Sequence, residues 1–322
     1  MRCMRSAEYA IARGRIANET KQALVFGEGT HLALKFRYKF FRNQPMTEEN
    51  QIRQFIVLEK FFETRPVPIG DHRTCAFAQS LMEEYNNFYG LEPFDIMKTP
   101  DGVDIVEEGF AVPLGVIGNI KIVWKGRLDL CVKDPDHAIW VMDNKTTSIG
   151  GDYFMHEYFT SNQMKGYTWA CRKILGQAVK GARINALIAR KPTKTGKGIE
   201  FKRGNFAFDE EVLEEWVLNT LHLVGDFLHS LERGYFTMQT TQCIGRYGLC
   251  QFLDTCRLSP ETRLQELSSE SYKSDVFDPL HDDAIDLEAI ANAPIPSNYQ
   301  RMDASPQSPE PMNAVMAELL GI

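Results

Sequence analysis

The chain has 322 residues and a formal net charge of −7, with 43% hydrophobic and 25% charged residues. This length can bury the core of one large or two modest domains, and the composition is that of a globular protein. No apolar run approaches the ~20 residues that a membrane-spanning helix needs, and the N-terminus does not have the layout of a signal peptide. We therefore expect a cytoplasmic protein that does not span a membrane.

The acidity is concentrated at the C-terminal end. From Leu258 onward the chain holds twelve Asp and Glu and three Lys and Arg, a net charge of −9, which leaves +2 for residues 1–257. The slightly basic part is compatible with nucleic acid as a partner. Residues 260–309 are rich in Ser, Asp, Pro and Gln and predict a disordered acidic linker, before a short amphipathic helix over 311–320. The tail is either a solubilising extension or, through that helix, the binding site of a recombination or replication protein such as a recombinase, a helicase or a single-strand-binding protein.

Hydrophobic periodicity predicts helices first, then three strands in a meander, a helix, a strand or hairpin, and a last helix. This order indicates an α+β core with a mixed central sheet rather than a doubly wound one. We place one domain at residues 1–257, with a helical insertion at about 44–92 and a cysteine-rich segment at 243–256, followed by the acidic tail 258–322. The predicted helices are 5–13, 23–42, 47–63, 72–89, 153–176 and 208–232, and the predicted strands are Asp104–Pro113, Val116–Cys131, Ala138–Lys145, 183–190 and 198–203.

Two of the predicted strands deliver charged residues to one edge of the sheet. Asp129 ends the run Gly126-Arg127-Leu128-Asp129, and Asp143 follows fourteen residues later in Asp143-Asn144-Lys145. Two converging carboxylates can hold a divalent cation, and Lys145 lies on the same strand face as Asp143, where it can reach a water or a phosphate. A metal, two acids and a lysine form a minimal set for hydrolysing a phosphodiester.

Three further residues fit a site around these acids. Gln163 and Tyr167 are four residues apart on a predicted helix and share one of its faces. His31 follows two glycines in Phe26-Gly27-Glu28-Gly29-Thr30-His31, and glycine permits close backbone approach. His31 and Tyr167 also have a simpler interpretation, since a histidine or a tyrosine on a helix commonly packs in a core. The order and spacing of the motifs together favour a site.

In this order the motifs resemble those of the PD-(D/E)XK nucleases of the RecB-like branch. That branch includes the nuclease domains of bacterial recombination helicase-nucleases, the CRISPR adaptation exonuclease family and many phage exonucleases. The resemblance covers roughly residues 1–257 and implies a restriction-endonuclease-like αβββαβ core. It implies a metal-dependent deoxyribonuclease, expected to be an exonuclease for DNA recombination, repair or end processing, and to work in the host cytoplasm if it is phage-encoded.

The resemblance also implies roles for the site residues. Lys145 would orient or help to deprotonate the attacking water, aided by a pKa lowered by burial. Mg²⁺ or Mn²⁺ would be bound by hard carboxylate oxygens and by the backbone carbonyl of Asn144. Glu107 and Glu108 are further, less specific ligand candidates. The implied catalytic residues are Asp129, Asp143, Lys145, Gln163 and Tyr167, and the implied metal ligands are His31, Asp129, Asp143 and Asn144.

Seven cysteines in an expected reducing compartment argue against a disulfide framework. Cys75, Cys131 and Cys171 fall within helical or strand patterns and are interpreted as small buried hydrophobes. The other C-terminal cysteines cluster as Cys243-x6-Cys250-x5-Cys256, without the Cys-x2-Cys spacing of a zinc ribbon.

Relatives in the RecB-like branch that carry an iron–sulfur cluster have one cysteine before the first helix and three after the nuclease core. Cys3 stands where that first cysteine would be. The resemblance therefore implies a [4Fe–4S] cluster on Cys3, Cys243, Cys250 and Cys256 that joins the N-terminus to a C-terminal cysteine-rich lobe in a structural role. The first gap among the C-terminal cysteines is six residues, where the relatives usually have two. Zinc and free cysteines remain as alternatives.

A basic hairpin lies next to the predicted site in sequence. Its cations can contact DNA phosphates, which gives salt-sensitive binding without sequence specificity, although a solvated turn is an equal alternative. The candidate DNA-binding residues are Arg190, Lys191, Lys194, Lys197, Lys202 and Arg203.

The sequence leaves two leading functions. The favoured one is a metal-dependent exonuclease that acts on DNA ends or single strands, with homo-oligomerisation left open. The alternative is a catalytically silent, iron–sulfur-stabilised subunit that binds DNA ends within a recombination complex. A zinc-binding interaction protein is a third option, but it leaves the strand motifs unexplained.

Overall fold

A mixed β-sheet lies at the centre of the computed structural model, which describes residues 3–18, 21–42, 44–245, 248–274, 278–280 and 285–301. The strand order is β2-β4-β5-β6-β7, and β3 pairs with β4 along the same edge as β2. Only β5 and β6 pair in parallel within this sheet, so the sheet is mixed as predicted. The strands are β1 (Arg15–Ala17), β2 (Asp95–Ile96), β3 (Val106–Ile117), β4 (Ile120–Lys133), β5 (Ile139–Thr147), β6 (Gly181–Ala189), β7 (Ile199–Ala207), β8 (Ile244–Gly245), β9 (Gly248–Leu249) and β10 (Tyr272–Ser274).

Helices cover both faces of the sheet, and the succession α2, β3, β4, β5, α6, β6 confirms the predicted αβββαβ order. The helices are α1 (Met4–Ala7, continued by a π-helical turn at Glu8–Ala12), α2 (Gln22–Phe40), α3 (Glu48–Phe62), α4 (Cys75–Tyr89), α5 (Asp152–His156), α6 (Asn162–Leu175), α7 (Glu210–Arg233), α8 (Leu253–Cys256), α9 (Pro260–Glu266) and α10 (Leu287–Asn292), with 3₁₀ turns at Glu157–Thr160 and Thr240–Gln242. No helix in the described ranges is long and apolar enough to cross a membrane.

Two hydrophobic cores sandwich the sheet. One lies between α2, α3, α4 and the face that carries Leu130 and Met142. The other lies between α6, α7 and the face that carries Leu128 and Val141. Strand β6 is buried along its whole length because both of its faces are covered, and most of its residues are small or aliphatic, with Arg183 and Asn185 as the polar exceptions. Packing on both faces therefore fixes the position of the sheet and of the side chains that it carries.

The predicted helix over 153–176 is divided. A 3₁₀ turn ends at Thr160, and Ser161 then caps α6 by accepting a hydrogen bond from the backbone N–H of Met164 at 3.3 Å. Serine favours such N-cap positions because its hydroxyl satisfies an otherwise unpaired helix N–H. The division matters for the site, since it lets α6 start beside the end of β5.

The acidic tail differs from the prediction over the residues that the structure describes. Instead of a disordered linker throughout 260–309, the described part contains α9, β10 and α10. Strand β10 pairs with β1, and its Tyr272 stacks on Phe252 with a centroid distance of 5.6 Å. Helix α10 buries Leu287 and Ile290 against the first core. A few apolar residues within a polar segment are enough to anchor it, which an average composition conceals. The helix predicted at 311–320 lies outside the described residues.

Candidate active site

His31 reaches the edge of the sheet from α2. The preceding Gly29 lets α2 approach α3, because a Cβ there would lie 2.9 Å from a ring carbon of Phe61. A Cβ at Gly27 would meet nothing within 4 Å, so only one of the two glycines is required by packing. Nδ1 of His31 lies 3.4 Å from Oε1 of Glu107 and 3.4 Å from Oδ2 of Asp129. The ligand atoms of these three residues all lie within 4.8 Å of one another.

A β-bulge selects which glutamate faces Asp129. The hairpin pairs Ile117 with Ile120, and continued in that register Glu108 would lie opposite Asp129. The register shifts by one between Pro113 and Gly115, so that Val106 pairs with Leu130 and Glu108 pairs with Leu128. Glu107 is consequently the residue opposite Asp129. Its φ of 50° lies in the left-handed region, a strained conformation for a residue with a side chain.

Asp143 and Lys145 stand on the neighbouring strand. Leu130 pairs with Met142, so Asp143 lies opposite Asp129 one step further along. The backbone N–H of Asn144 donates to Oδ2 of Asp129 at 2.7 Å. Nζ of Lys145 lies 2.5 Å from Oδ2 of Asp143 and forms an ion pair with it. The structure thus brings together the two acids and the lysine that the sequence singles out.

Helix α6 adds the next layer of contacts. Nζ of Lys145 donates to Oε1 of Gln163 at 3.2 Å, and Nε2 of Gln163 donates to the hydroxyl of Tyr167 at 3.2 Å. The ring of Tyr167 packs edge-on against Phe110 and fills the space over Gly126, where a Cβ would lie 2.9 Å from the tyrosine ring. Gln163 therefore contacts Lys145 directly, and Tyr167, which packs against Phe110 of the sheet, hydrogen-bonds to Gln163.

The buried charges shift each other's pKa. Burial alone lowers the pKa of His31, but the carboxylates of Asp129 and Glu107 outweigh it and raise the pKa to about 9. Burial raises the pKa of Asp143 to about 6 against the opposing effect of Lys145. Burial lowers the pKa of Lys145, yet Asp143 and Asp129 more than compensate and raise it. The expectation of a lysine pKa lowered by burial is therefore wrong for this arrangement, and Lys145 is a cation.

The donor set fits a hard divalent cation. Three carboxylates and one imidazole surround the edge, and carboxylate oxygens are the ligands that Mg²⁺ and Mn²⁺ prefer. Glu107 and Asp129 face each other across two strands, a like-charge pair that is unfavourable without a cation between them. Oε1 of Glu107 is buried and accepts no hydrogen bond from a described residue. His31, Glu107 and Asp129 are placed to hold the ion, and the predicted ligand Asp143 lies on the neighbouring strand in an ion pair with Lys145, outside that group. The carbonyl of Asn144 stays a predicted ligand.

The comparisons with known proteins agree with this geometry. The family model of the PD-(D/E)XK nuclease superfamily matches residues 1–257. The chain belongs to this superfamily. Membership implies a phosphodiester hydrolase that uses a divalent metal and acts on DNA. A solved structure described as the crystal structure of SSO0001 is similar over 62% of this chain and 74% of its own, at 14% identity and a TM-score of 0.26. No curated protein matches the chain.

The basic hairpin between β6 and β7 follows the end of β6 that lies beside Thr147. Arg190 reaches the loop after β5, where it lies against Gly150, and it pairs with Glu200 at 3.1 Å. Lys197 pairs with Glu84, and Lys202 pairs with Asp152. Lys191 and Lys194 are exposed at the turn.

Arg203 has a different environment from the rest of the predicted DNA-binding set. Its guanidinium pairs with the buried Glu92 at 2.6 Å and lies 3.6 Å from the centroid of the Tyr89 ring. Because these partners hold it inside the protein, we leave Arg203 out of the DNA-contacting surface. An arginine on a β-strand next to a basic turn cannot be distinguished from a surface cation by sequence alone.

The cysteine lobe, which we define as Cys3 together with the described residues of 243–256, carries four thiols that do not form a tight cluster. The backbone N–H of Cys250 donates to the carbonyl of Cys243 at 2.9 Å, and Sγ of Cys3 accepts from the backbone N–H of Gln239 at 3.5 Å. Burial raises the pKa of Cys256, and the neighbouring thiols of Cys250, Cys3 and Cys243 raise it further. No three of these sulfurs lie within 4.8 Å of one another in the described chain. Four thiolates ~2.3 Å from one zinc ion would be only ~3.8 Å apart.

The remaining cysteines are buried, as predicted. Cys75 lies in the core under α4, and the sulfurs of Cys131 and Cys171 lie 3.2 Å apart between β4 and α6. Burial raises the pKa of Cys75 to about 12, which keeps it a neutral thiol. These residues pack the core.

Proposed function

We propose that the protein is a metal-dependent DNA exonuclease that hydrolyses phosphodiester bonds at DNA ends or in single strands during recombination, repair or end processing. The observation that carries the proposal is the group of His31, Glu107 and Asp129, whose ligand atoms lie within 4.8 Å of one another, together with the ion pair of Asp143 and Lys145 on the neighbouring strand. The exonuclease assignment is supported by the order of the sequence motifs, which resembles that of the RecB-like branch. A silent DNA-end-binding subunit would not need these side chains to be gathered in this way.

A bound Mg²⁺ or Mn²⁺ supplies Lewis-acid stabilisation of the charge that develops on the phosphate. Lys145 has three N–H donors, of which Asp143 and Gln163 engage two. The remaining N–H is available to a water or a phosphate oxygen. That N–H would orient the attacking water and balance negative charge on the phosphate. Gln163 fixes the direction of the ammonium group, and Tyr167 fixes Gln163.

The exposed cations of the hairpin are proposed as the phosphate-contacting surface. Lys191 and Lys194 are exposed at its turn, and Arg190 adjoins the loop that follows β5. Lys197 and Lys202 each pair with one acidic residue at the surface. Exposed ion pairs of this kind contribute little to folding stability, so each lysine can leave its acidic partner and contact a DNA phosphate instead. Contacts of this kind bind DNA without reading its sequence.

We further propose that the cysteine lobe holds a [4Fe–4S] cluster. Support comes from the resemblance to the cluster-carrying relatives of the RecB-like branch and from the four half-buried thiols, one from the N-terminus and three from the C-terminal lobe. The cluster would tie α1 to α8 and would not take part in hydrolysis. The cytoplasm, of a host cell if the protein is phage-encoded, would keep the thiols reduced for assembly.

The segment after Arg301 is proposed to bind a recombination or replication protein. Arg301 itself is anchored to Glu83 at 2.8 Å and to Ser80 at 3.0 Å, on the outer side of α4. A partner bound beyond that point would be tethered near α4, on the layer of helices that carries His31. The acidic character of the tail favours a partner with a basic surface.

The decisive experiment compares the full chain with Lys145→Ala on end-labelled single- and double-stranded DNA in Mg²⁺ or Mn²⁺. We expect the variant to lose more than ~100-fold in rate, because it lacks a charged group at the reacting phosphate. EDTA should abolish cleavage by the wild type. Lys173→Ala, a matched loss of charge at the far end of α6, should cleave normally.

Covalently closed single-stranded circles provide the second arm of this experiment. An exonuclease degrades the linear strand and spares the circle, whereas cleavage of both would replace the exonuclease assignment with an endonuclease. Equal DNA binding by wild type and Lys145→Ala, with no cleavage by either, would favour the silent end-binding subunit.

A further inference from the structure

Three polar side chains form a ladder across the sheet beneath the acids. Asn144 on β5 is aligned with Asn185 on β6, and Asn185 is aligned with Arg203 on β7. Nδ2 of Asn185 donates to Oδ1 of Asn144 at 2.8 Å, and Oδ1 of Asn185 accepts from Nε of Arg203 at 3.0 Å. Asn185 is 0% exposed and Asn144 is 2% exposed. Asn185, a buried uncharged polar residue on a central strand, therefore connects three strands.

The outer end of the ladder is fixed by charge. Arg203 donates to both carboxylate oxygens of Glu92, at 2.8 and 2.6 Å, and to the hydroxyl of Tyr85 at 2.8 Å. Asn185 also donates to that hydroxyl, at 2.9 Å. The side chain of Glu92 is 1% exposed, so this bidentate pair is shielded from water. A buried network whose members are all paired holds its geometry stiffly.

The network reaches the candidate metal ligands from both of its ends. At one end, the backbone N–H of Asn144 donates a hydrogen bond to Oδ2 of Asp129. Tyr38 donates to Glu92 at 2.9 Å and lies seven residues, or about two turns, after His31 on α2. The network therefore ties the helix that carries His31 to the strand that carries Asp143 and Lys145.

We propose that Asn185 is a positioning residue of the metal centre, which fixes Asn144 and through it the carboxylate of Asp129. This inference rests on the proposed function, since it concerns the affinity of the same site for its cation. Groups that hold metal ligands in place typically change metal affinity 10- to 100-fold when they are removed. We therefore expect removal of the Asn185 side chain to weaken Mn²⁺ binding more than its effect on folding stability explains.

The chain provides a matched control in Asn86. Nδ2 of Asn86 donates to Gln51 at 2.7 Å and to Gln54 at 2.8 Å, and its Oδ1 accepts from Arg37 at 2.5 Å. Asn185 and Asn86 are the same residue type, both are buried, and each makes two donated and one accepted side-chain hydrogen bonds. The Asn86 network joins α2, α3 and α4, and among the described residues it makes no hydrogen bond to β5. A loss of folding stability should affect both variants, but a loss of metal positioning should affect only one.

The test measures Mn²⁺ binding to the full-length protein by calorimetry and by the Mn²⁺ resonance signal, without DNA, for Asn185→Ala, Asn86→Ala and Asn144→Ala. Thermal unfolding in EDTA and cleavage of linear DNA are recorded for each protein. We expect Asn185→Ala and Asn144→Ala each to raise the Kd for Mn²⁺ by about tenfold. Asn86→Ala should change the Kd by less than about twofold at a comparable loss of Tm.

The double variant Asn144→Ala/Asn185→Ala tests whether the two residues act through one link. Because either single change breaks the hydrogen bond between them, the double variant should lose little more affinity than a single one. Multiplied losses would overturn the proposal. An unchanged Kd in Asn185→Ala would also overturn it, as would equal losses in Asn185→Ala and Asn86→Ala.

Two further results separate this proposal from the proposed function. If Asn185→Ala does not fold, Asn144→Ala decides alone, because it keeps the Arg203 network intact, and a normal Kd in that variant overturns the proposal. Wild-type protein that binds Mn²⁺ but cuts no DNA would overturn the nuclease assignment, while a tenfold higher Kd in Asn185→Ala would still support the positioning role. Normal cleavage by the wild type together with an unchanged Kd in Asn185→Ala would overturn the positioning role alone.

Discussion

The edge of the sheet and the cysteine lobe are both candidate metal centres, but the protein holds their side chains in different ways. Asp129 and Asp143 come from adjacent strands of a buried sheet, and their positions follow from its register. The four thiols lie in short elements and are half-buried, with few hydrogen bonds between the segments that carry them. The positions of the acids are therefore set by the sheet, whereas the thiols lie on short segments outside it.

This difference has opposite consequences for stability. At the sheet edge, burial raises the pKa of Asp129 and Asp143, which means that their charged forms are held at a cost to the fold. The bulge at Pro113 and the strained backbone of Glu107 add to that cost. In the cysteine lobe a bound cluster would join segments distant in sequence and so contribute to folding. Removing a ligand should therefore impair function at the first centre and stability at the second.

The largest effect is expected for Asp129→Asn. The substitution keeps an oxygen that can accept from Asn144 but removes the charge shared with His31 and Glu107. We expect DNA cleavage to fall by more than ~100-fold, since even groups that only support metal ligands are worth 10- to 100-fold. Thermal unfolding in EDTA should show a Tm no lower than that of the wild type, because a buried carboxylate has become neutral. A marked fall in Tm in EDTA would show that the acid has a structural role.

In the cysteine lobe, Cys250→Ser should lower folding stability and leave cleavage nearly unchanged, the opposite of Asp129→Asn. We expect anaerobically purified variant protein to lose visible cluster absorbance and to have a Tm lower by roughly 5–10 °C, as a loss of a few kcal/mol would produce. Cleavage by the folded fraction should remain close to normal, because the cysteines lie outside the acidic edge. Wild-type protein whose cluster has been removed by a chelator is the control, and its Tm should equal that of the variant. Equal Tm values for untreated wild type and variant would favour free cysteines.

The fold and the centre of the site follow from local sequence patterns. Strand periodicity and the short turn between β4 and β5 are enough to bring Asp129 beside Asp143, and helical spacing aligns Gln163 with Tyr167. These predictions succeed because they depend on residues close together in the chain, where the period and the turn length fix the geometry.

What the sequence does not reveal depends on register over longer distances. Glu107 faces Asp129 only because the bulge near Pro113 shifts the hairpin by one residue, and counting back from the turn at Gly118 selects Glu108 instead. A proline within a strand is the one signal that could have raised this possibility. Likewise, the contact of Asn144 with Asn185 requires the alignment of two parallel strands that are joined through α6. Packing of the whole sheet decides that alignment.

The smallest effect is expected for the pH dependence of stability, and it tests whether the sheet edge is charged as described. The pKa of His31 is raised from 6.5 to about 9 in the folded protein, so its protonated form stabilises the fold. This contribution is fully present below pH 6.5 and is lost as the pH rises through 9. In EDTA the Tm of the wild type should therefore fall further than that of His31→Asn across this window. Added Mg²⁺ should reverse the trend, because an imidazole must lose its proton to bind a metal, and the Mg²⁺-induced rise in Tm should therefore grow with pH. Parallel curves for wild type and His31→Asn, with and without Mg²⁺, would show that His31 is neither charged nor a ligand, and the site would then consist of Glu107, Asp129 and Asp143 alone.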